Sequence, residues 1–164
     1  SSPPRYLSSL SLVEFDLAMT FPAGSPDRAT WIEKAEQHAL TALKANPADG
    51  YTWVRLAVMR QARDAPPQDI LEPLLTSLDV APNRRELWPS RMALLMYHWG
   101  ELKPNELPIM RHQIRTMWNV PQFRFFLYDT ALKYGRKFSL MDMLNDDPAA
   151  LEEIRTLDRN MAYP

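Results

Sequence analysis

The sequence predicts an all-α protein of stacked antiparallel helix pairs, and three observations carry that prediction. Hydrophobic residues make up 46% of the 164-residue chain, enough apolar material for a continuous core. Only four residues are glycine, which leaves little for the tight turns of an all-β fold. The fifteen prolines fall mostly between apolar segments or in what would be a first helical turn, where a missing backbone N–H breaks no hydrogen bond.

Residues 1–26 are read as a helix and loop that pack on the helices after them. From Asp27 to Ala45, Ile32, Ala35, Ala39, Ala42 and Leu43 recur at intervals of three and four, a helical stripe that Pro47 stops. Tyr51, Val54, Val58 and Ala62 lie along one face of the next segment, with Trp53, Leu56 and Ala57 beside them. So broad an apolar arc predicts a helix held between neighbours. After Pro66-Pro67, Asp69 followed by Glu72 has the spacing of a capping box. Leu71, Leu74, Leu75 and Leu78 supply that helix's buried face, and Pro73 falls in or just after its first turn.

Leu87 to Trp99 forms the next helix, with Trp88, Met92, Leu95 and Trp99 in register and Gly100 as a stop signal. Pro89 requires it to begin no earlier than about Arg85 if a kink is to be avoided. Beyond Pro104, a stripe of Leu107, Met110, Ile114, Met117 and Trp118 runs to Pro121. Gln122 to Tyr134 is an aromatic-rich helix that buries Phe123, Phe126 and Leu127 and ends at Gly135. A short helix spans about Phe138 to Leu144. Asp147-Pro148 then reads as an N-cap with proline at the first helical position, opening a helix through about Asp158 and a frayed tail from Asn160.

One recurrence is longer. Pro47 precedes Trp53 by six residues and Pro82 precedes Trp88 by six, a period of 35. With Ala35, Ala42, Leu56 and Ala57, this pattern resembles the tetratricopeptide repeat over residues 27–135, with Leu127 and Ala131 after Pro121 as a weaker third echo. The resemblance implies a right-handed superhelix in which small residues admit a close partner helix and tryptophan fills the gap between repeats. Arg91 and Met92 depart from it, standing where the family has Leu and a small residue. Residues 136–164 are read as acidic capping helices and a tail.

By the same resemblance, the first helix of each pair lines a concave groove, which places Tyr51, Arg55, Val58 and Ala62 on it in one unit and Glu86, Ala93 and Tyr97 in the next. A Tyr/Arg surface suits peptide recognition, because arginine grips carboxylates through two parallel hydrogen bonds. The family's Lys/Asn clamp for C-terminal carboxylates would fall at Val54 and Val58 and is absent.

Charge is unevenly distributed: residues 1–83 carry a net −3, 84–137 carry +6 and 138–164 carry −4. Arg111, Arg115, Arg124, Lys133, Arg136 and Lys137 form the basic middle, and either the positive and negative surfaces face different directions or the acidic tail folds back over the basic middle. The chain contains no cysteine, which removes disulfides and thiol chemistry. His38, His98 and His112 are scattered and predict no metal site. Glu33 with Glu36, and Asp142 with Asp146, have a spacing that acid–base or cation chemistry could use, as could a solvated helix face. Neither a nucleophile elbow nor a glycine-rich phosphate loop is present.

The expectation is therefore a non-enzymatic module with no cofactor that binds a protein or peptide, with self-association as a further role and no nucleic acid in the first instance. The alternative is a binder of an anionic polymer, RNA or polysaccharide, through residues 84–137. No run approaches the ~20 apolar residues of a membrane span. The start Ser1-Ser2-Pro3-Pro4, without methionine, predicts processing or a longer parent chain. In bacteria, similar repeat domains sit behind a membrane anchor in envelope assembly, so the expected compartment is the periplasm, with the cytoplasm as the alternative.

Overall fold

Prolines open helices here as the sequence predicts. The computed structural model describes residues 3–162 and is all-α, with nine α-helices and no strand among the described residues. The chain forms two compact units, residues 1–87 and 88–164, so their boundary falls inside the stretch that carries the repeat resemblance.

In the first unit, α1 (Pro4–Ala18), α2 (Pro26–Ala45), α3 (Gly50–Ala62) and α4 (Pro67–Val80) pack successively, α1 on α2, α2 on α3 and α3 on α4. Pro4, Pro26 and Pro67 occupy first-turn positions, where the backbone has no N–H to satisfy. Ser25 caps α2 through Arg28 N–H at 3.3 Å, and Asp49 caps α3 through Thr52 N–H at 3.2 Å. Ala18, Ile32, Ala35, Ala39 and Met59 form a core cluster against which Phe15, Trp31 and Ala62 pack. The small residues of α2 admit this close approach. Gly50 is needed for another: a Cβ there would lie 2.5 Å from that of Ala81.

Three expectations for this unit are corrected. The capping box at Asp69 and Glu72 does not form: α4 starts three residues earlier, with Pro66 at its cap and Asp69 already inside the first turn. Pro73 lies deeper in α4 than the first turn and is buried. The carbonyl of Asp69, four residues before it, has no N–H at Pro73 to accept from, and Arg60 Nη1 donates to that oxygen at 2.8 Å instead. Trp53 is only half-buried; its indole N–H donates to the Pro47 carbonyl at 2.8 Å, so the six-residue interval pins a turn rather than filling a gap.

The α3–α4 connection turns on Asp64, whose φ of 55° places it in the left-handed region. Ala65 N–H bonds to Arg60 O at 3.0 Å and Asp64 N–H to Gln61 O at 3.1 Å, the paired bonds of a Schellman ending. Gly135, at φ 67°, ends α7 in the same way.

The second unit contains α5 (Trp88–Tyr97), α6 (Leu107–Trp118), α7 (Arg124–Lys133), α8 (Lys137–Met143) and α9 (Pro148–Ala162). Trp88, Met92, Leu95, Met110, Ile114, Met117, Trp118, Leu127, Leu140 and Ile154 are buried. Trp88 meets Phe123 edge-on at 4.9 Å. Short 3-10 turns precede α6 and α7, and a 3-10 turn at Arg85–Leu87 closes the first unit just before Trp88, so Pro89 stands in the first turn of α5. α5 ends at Tyr97, short of Trp99, and Gly100 lies in a 3-10 turn beyond it. Phe123 and Phe126 are half-buried rather than core residues, whereas Leu127 and Tyr128 are fully enclosed. Asp147 caps α9 through Ala150 N–H at 3.0 Å. That helix runs to Ala162, past the expected fraying at Asn160; the last two residues lie outside the described range.

Candidate functional site

Tyr51 and Arg55 lie where α3 begins, and α1 crosses beside them. A hydroxyl relay fixes this junction. Thr52 carries its backbone N–H to Asp49 Oδ1 and donates its hydroxyl to Asp49 Oδ2 at 2.7 Å. Its oxygen is then left to accept from Ser8 Oγ at 2.6 Å. Ser8 in turn accepts from Arg55 Nη1 at 3.3 Å. A cation, two hydroxyls and a carboxylate are thus joined in one donor-to-acceptor direction, which ties α1 to α3 and orients Arg55.

Two clefts meet at Tyr51, which is 37% exposed. One, of about 320 Å³, is bounded by Arg5, Ser8, Ser9, Asn46, Asp49 and Arg55. The other, of about 590 Å³, runs from Asn46 and Asp49 past Gly50 to Ala81, Asn83 and Arg84. Asn46, Asp49 and Tyr51 border both. Asp49 has both carboxylate oxygens engaged by Thr52 but keeps its negative charge, so the charged groups around Tyr51 are one carboxylate and three cations, Arg5, Arg55 and Arg84. Arg5 and Arg84 form no ion pair among the described residues.

The other expected groove positions are not among the residues that line these two clefts. Val58 is half-buried. Ala62, three turns along α3, packs on the core cluster of α1 and α2. Glu86 is exposed near the end of the first unit, while Ala93 and Tyr97 belong to the second. Tyr97 is 53% exposed and stands edge-on to Tyr134 at 5.7 Å, beside Lys133, whose ammonium lies 5.3 Å from the Tyr134 ring. Sequence reasoning missed Arg5, Asn46, Asp49 and Arg84. Asp49 had a usable signal, an Asp immediately ahead of a helix; Arg5 and Arg84 had none, because only the chain's fold brings them to Tyr51.

The basic middle of the second unit meets the acidic segment that comes after it. Arg115 pairs with Asp146 and donates to Met143 O at 3.2 Å. Arg111 bonds Asn145 at 3.0 Å, with Asp142 at 4.0 Å. Arg124 reaches Glu153 at 3.0 Å and Lys137 reaches Asp158 at 3.1 Å. Arg136 donates to Met96 O at 3.1 Å. Of the six cations, Lys133 alone has only an aromatic partner among these contacts. Asp142 and Asp146 consequently face arginines rather than each other.

Several titratable groups answer to these surroundings. Burial pushes the Glu36 carboxyl up, but the hydrogen bonds and charge of Arg63 and Arg60 outweigh it and hold Glu36 below the usual glutamate value. Glu36 therefore serves as a structural anion under Arg60 and Arg63, at 2.9 and 2.8 Å, while Glu33 is exposed. Burial, then the bond to Asp158, raises Tyr128 to about 12; the same bond, with Lys137, holds Asp158 down. Burial alone brings Arg91 to about 10, so the residue that departs from the repeat pattern is a core cation. His98 is buried and lowered, His38 bonds Glu14 at 2.5 Å, and His112 is exposed. Among the described residues, no three His, Asp or Glu side chains gather as a metal would require, and no helix is long and apolar enough to cross a membrane. Comparison with family models, with curated proteins and with solved structures finds no significant match.

Proposed function

We propose that this chain is a non-enzymatic interaction module, built from tetratricopeptide-like helix pairs, that binds an acidic segment of a protein partner at the paired clefts around Tyr51. The observation that carries this reading is the placement of Arg55: one Nη is held by Ser8 while the guanidinium lines a cleft whose carboxylate, Asp49, is already engaged. A guanidinium fixed in this way loses little side-chain entropy on gripping a carboxylate. Tyr51 adds rigid contact area at the place where the two clefts join.

The anionic-polymer reading has less support. Most cations of residues 111–137 are engaged within their own unit, so a polymer would have to displace carboxylates already in contact with them.

A fluorescence-anisotropy titration with labelled acidic peptides and their Asn/Gln counterparts tests the proposal. Preference for the acidic series, reduced at least tenfold in a Tyr51→Ala/Arg55→Ala protein that melts like wild type, is the expected result. Equal binding of both series, or equal binding by both proteins, would sink it. Affinity capture from membrane and soluble extracts, again beside the double variant, then identifies the partner.

A further inference from the structure

We infer that the clefts around Tyr51 read an interrupted acidic segment, one with acidic residues on both sides of a stretch that carries no negative charge, and that Asp49 is the residue that keeps acid out of the middle. This rests on the acidic-peptide reading above and adds a charge pattern to it. The cations divide between the clefts, and none borders both. Arg5 and Arg55 line the smaller cleft, and Arg84 lines the larger. The residues common to both are Asn46, Asp49 and Tyr51, so the only charge at the junction is negative.

That negative charge is fixed but not neutralised. Thr52 donates its N–H to one Asp49 oxygen at 3.2 Å and its hydroxyl to the other at 2.7 Å. Among the described residues Asp49 forms no ion pair, and neither do Arg5, Arg55 and Arg84. An acidic side chain in either cleft beyond the junction therefore meets a cation, whereas one lying over the junction meets a carboxylate that nothing in the protein offsets. An opposed like charge is an effective way to reject an otherwise suitable partner. Asn46 and Tyr51 offer the middle of the segment an amide and a hydroxyl, which suit neutral polar groups. An unbroken acidic run either places a carboxylate over Asp49 or slides into one cleft and gives up the cation of the other.

Anisotropy competition between peptides of equal length and equal net charge tests the inference. Each carries four glutamates, gathered in one central block or split into two pairs around one to three serines. The best split peptide is expected to bind wild type about three- to tenfold more tightly than the block at low salt, with a margin that shrinks as salt screens the repulsion. Asp49→Asn removes the charge and keeps a good helix cap, since asparagine can still accept the Thr52 N–H bond. It should bind the block several-fold more tightly and lose the preference; if it melts early, the wild-type margin and its salt dependence still decide. Arg84→Gln should weaken the split peptide and leave unchanged a peptide with glutamates at one end only, held by Arg5 and Arg55. Equal or tighter binding of the block by wild type, a preference that survives Asp49→Asn, or equal loss of both peptides in Arg84→Gln would overturn the inference while the general preference for acidic over amide peptides stands. If no acidic peptide is preferred over its amide counterpart, the reading beneath it falls and this one with it.

Discussion

Arg60 illustrates how one side chain can hold an otherwise unfavourable backbone. It donates to Glu36 on α2 at 2.9 Å and to the Asp69 carbonyl on α4 at 2.8 Å, and that carbonyl is the one Pro73 leaves without its helical donor. Arg60→Met keeps the apolar stem but removes both bonds. It should lower stability by about 2–4 kcal/mol, since a buried carboxylate and a carbonyl lose partners together; a urea midpoint within error of wild type would refute this. Asp64 presents the opposite case. Its left-handed conformation is strained for any residue but glycine, and Gly135 fills the equivalent place in the second unit. Asp64→Gly is expected to raise stability by up to about 1 kcal/mol, whereas Gly135→Ala should lower it by a similar amount; thermal melts of the two variants would show opposite shifts.

Helices were readable from the chain because their signals are local. Proline at the first turn, stripes such as Met110–Ile114–Met117 and the Asp147-Pro148 start each depend on a few adjacent residues, and the structure places α2, α3, α6 and the start of α9 accordingly. Where the expected packing of a residue failed, a side-chain bond to a backbone carbonyl had intervened. Arg60 arrives from α3 to support Pro73 inside α4, and the Trp53 indole is drawn outward to the Pro47 carbonyl. The acidic segment shows the same division. Its charge was plain in the sequence, but Arg115 and Asp146 are 31 residues apart, and no local pattern matches one to the other. Replacing Asp146, Glu153 and Asp158 together by their amides should release Arg115, Arg124 and Lys137. Heparin retention should then move to higher salt than wild type; elution at an unchanged salt concentration would show that these cations are not inaccessible through pairing.

Glu36 in one unit and Asp158 in the other both titrate below their ordinary values. A carboxyl depressed by folding contributes stability that is fully present above its unfolded pKa of about 4 and is lost as pH falls through the lower folded value. The melting temperature should therefore fall below about pH 4, beyond the shallower decline below about pH 6.5 that His98, lowered by burial, already causes. Tyr128, raised to about 12, adds the mirror term: its contribution is complete below about pH 10 and is lost as pH rises toward 12. A melting temperature that does not fall at either extreme would contradict both assignments. The peptide clefts were only partly legible beforehand. Tyr51 and Arg55 could be selected as an exposed pair on one helix, but the relay through Ser8 and the approach of Arg84 arise from folding alone. The bond between Arg60 and the Asp69 carbonyl also restricts how this sequence can drift. While Pro73 is present, loss of Arg60 strands an oxygen in the helix; once Pro73 has become alanine, α4 can satisfy that oxygen itself and Arg60 is needed only for Glu36. The two changes are therefore tolerable in one historical order and damaging in the other, which makes Pro73 a ratchet on the evolution of a residue thirteen positions earlier.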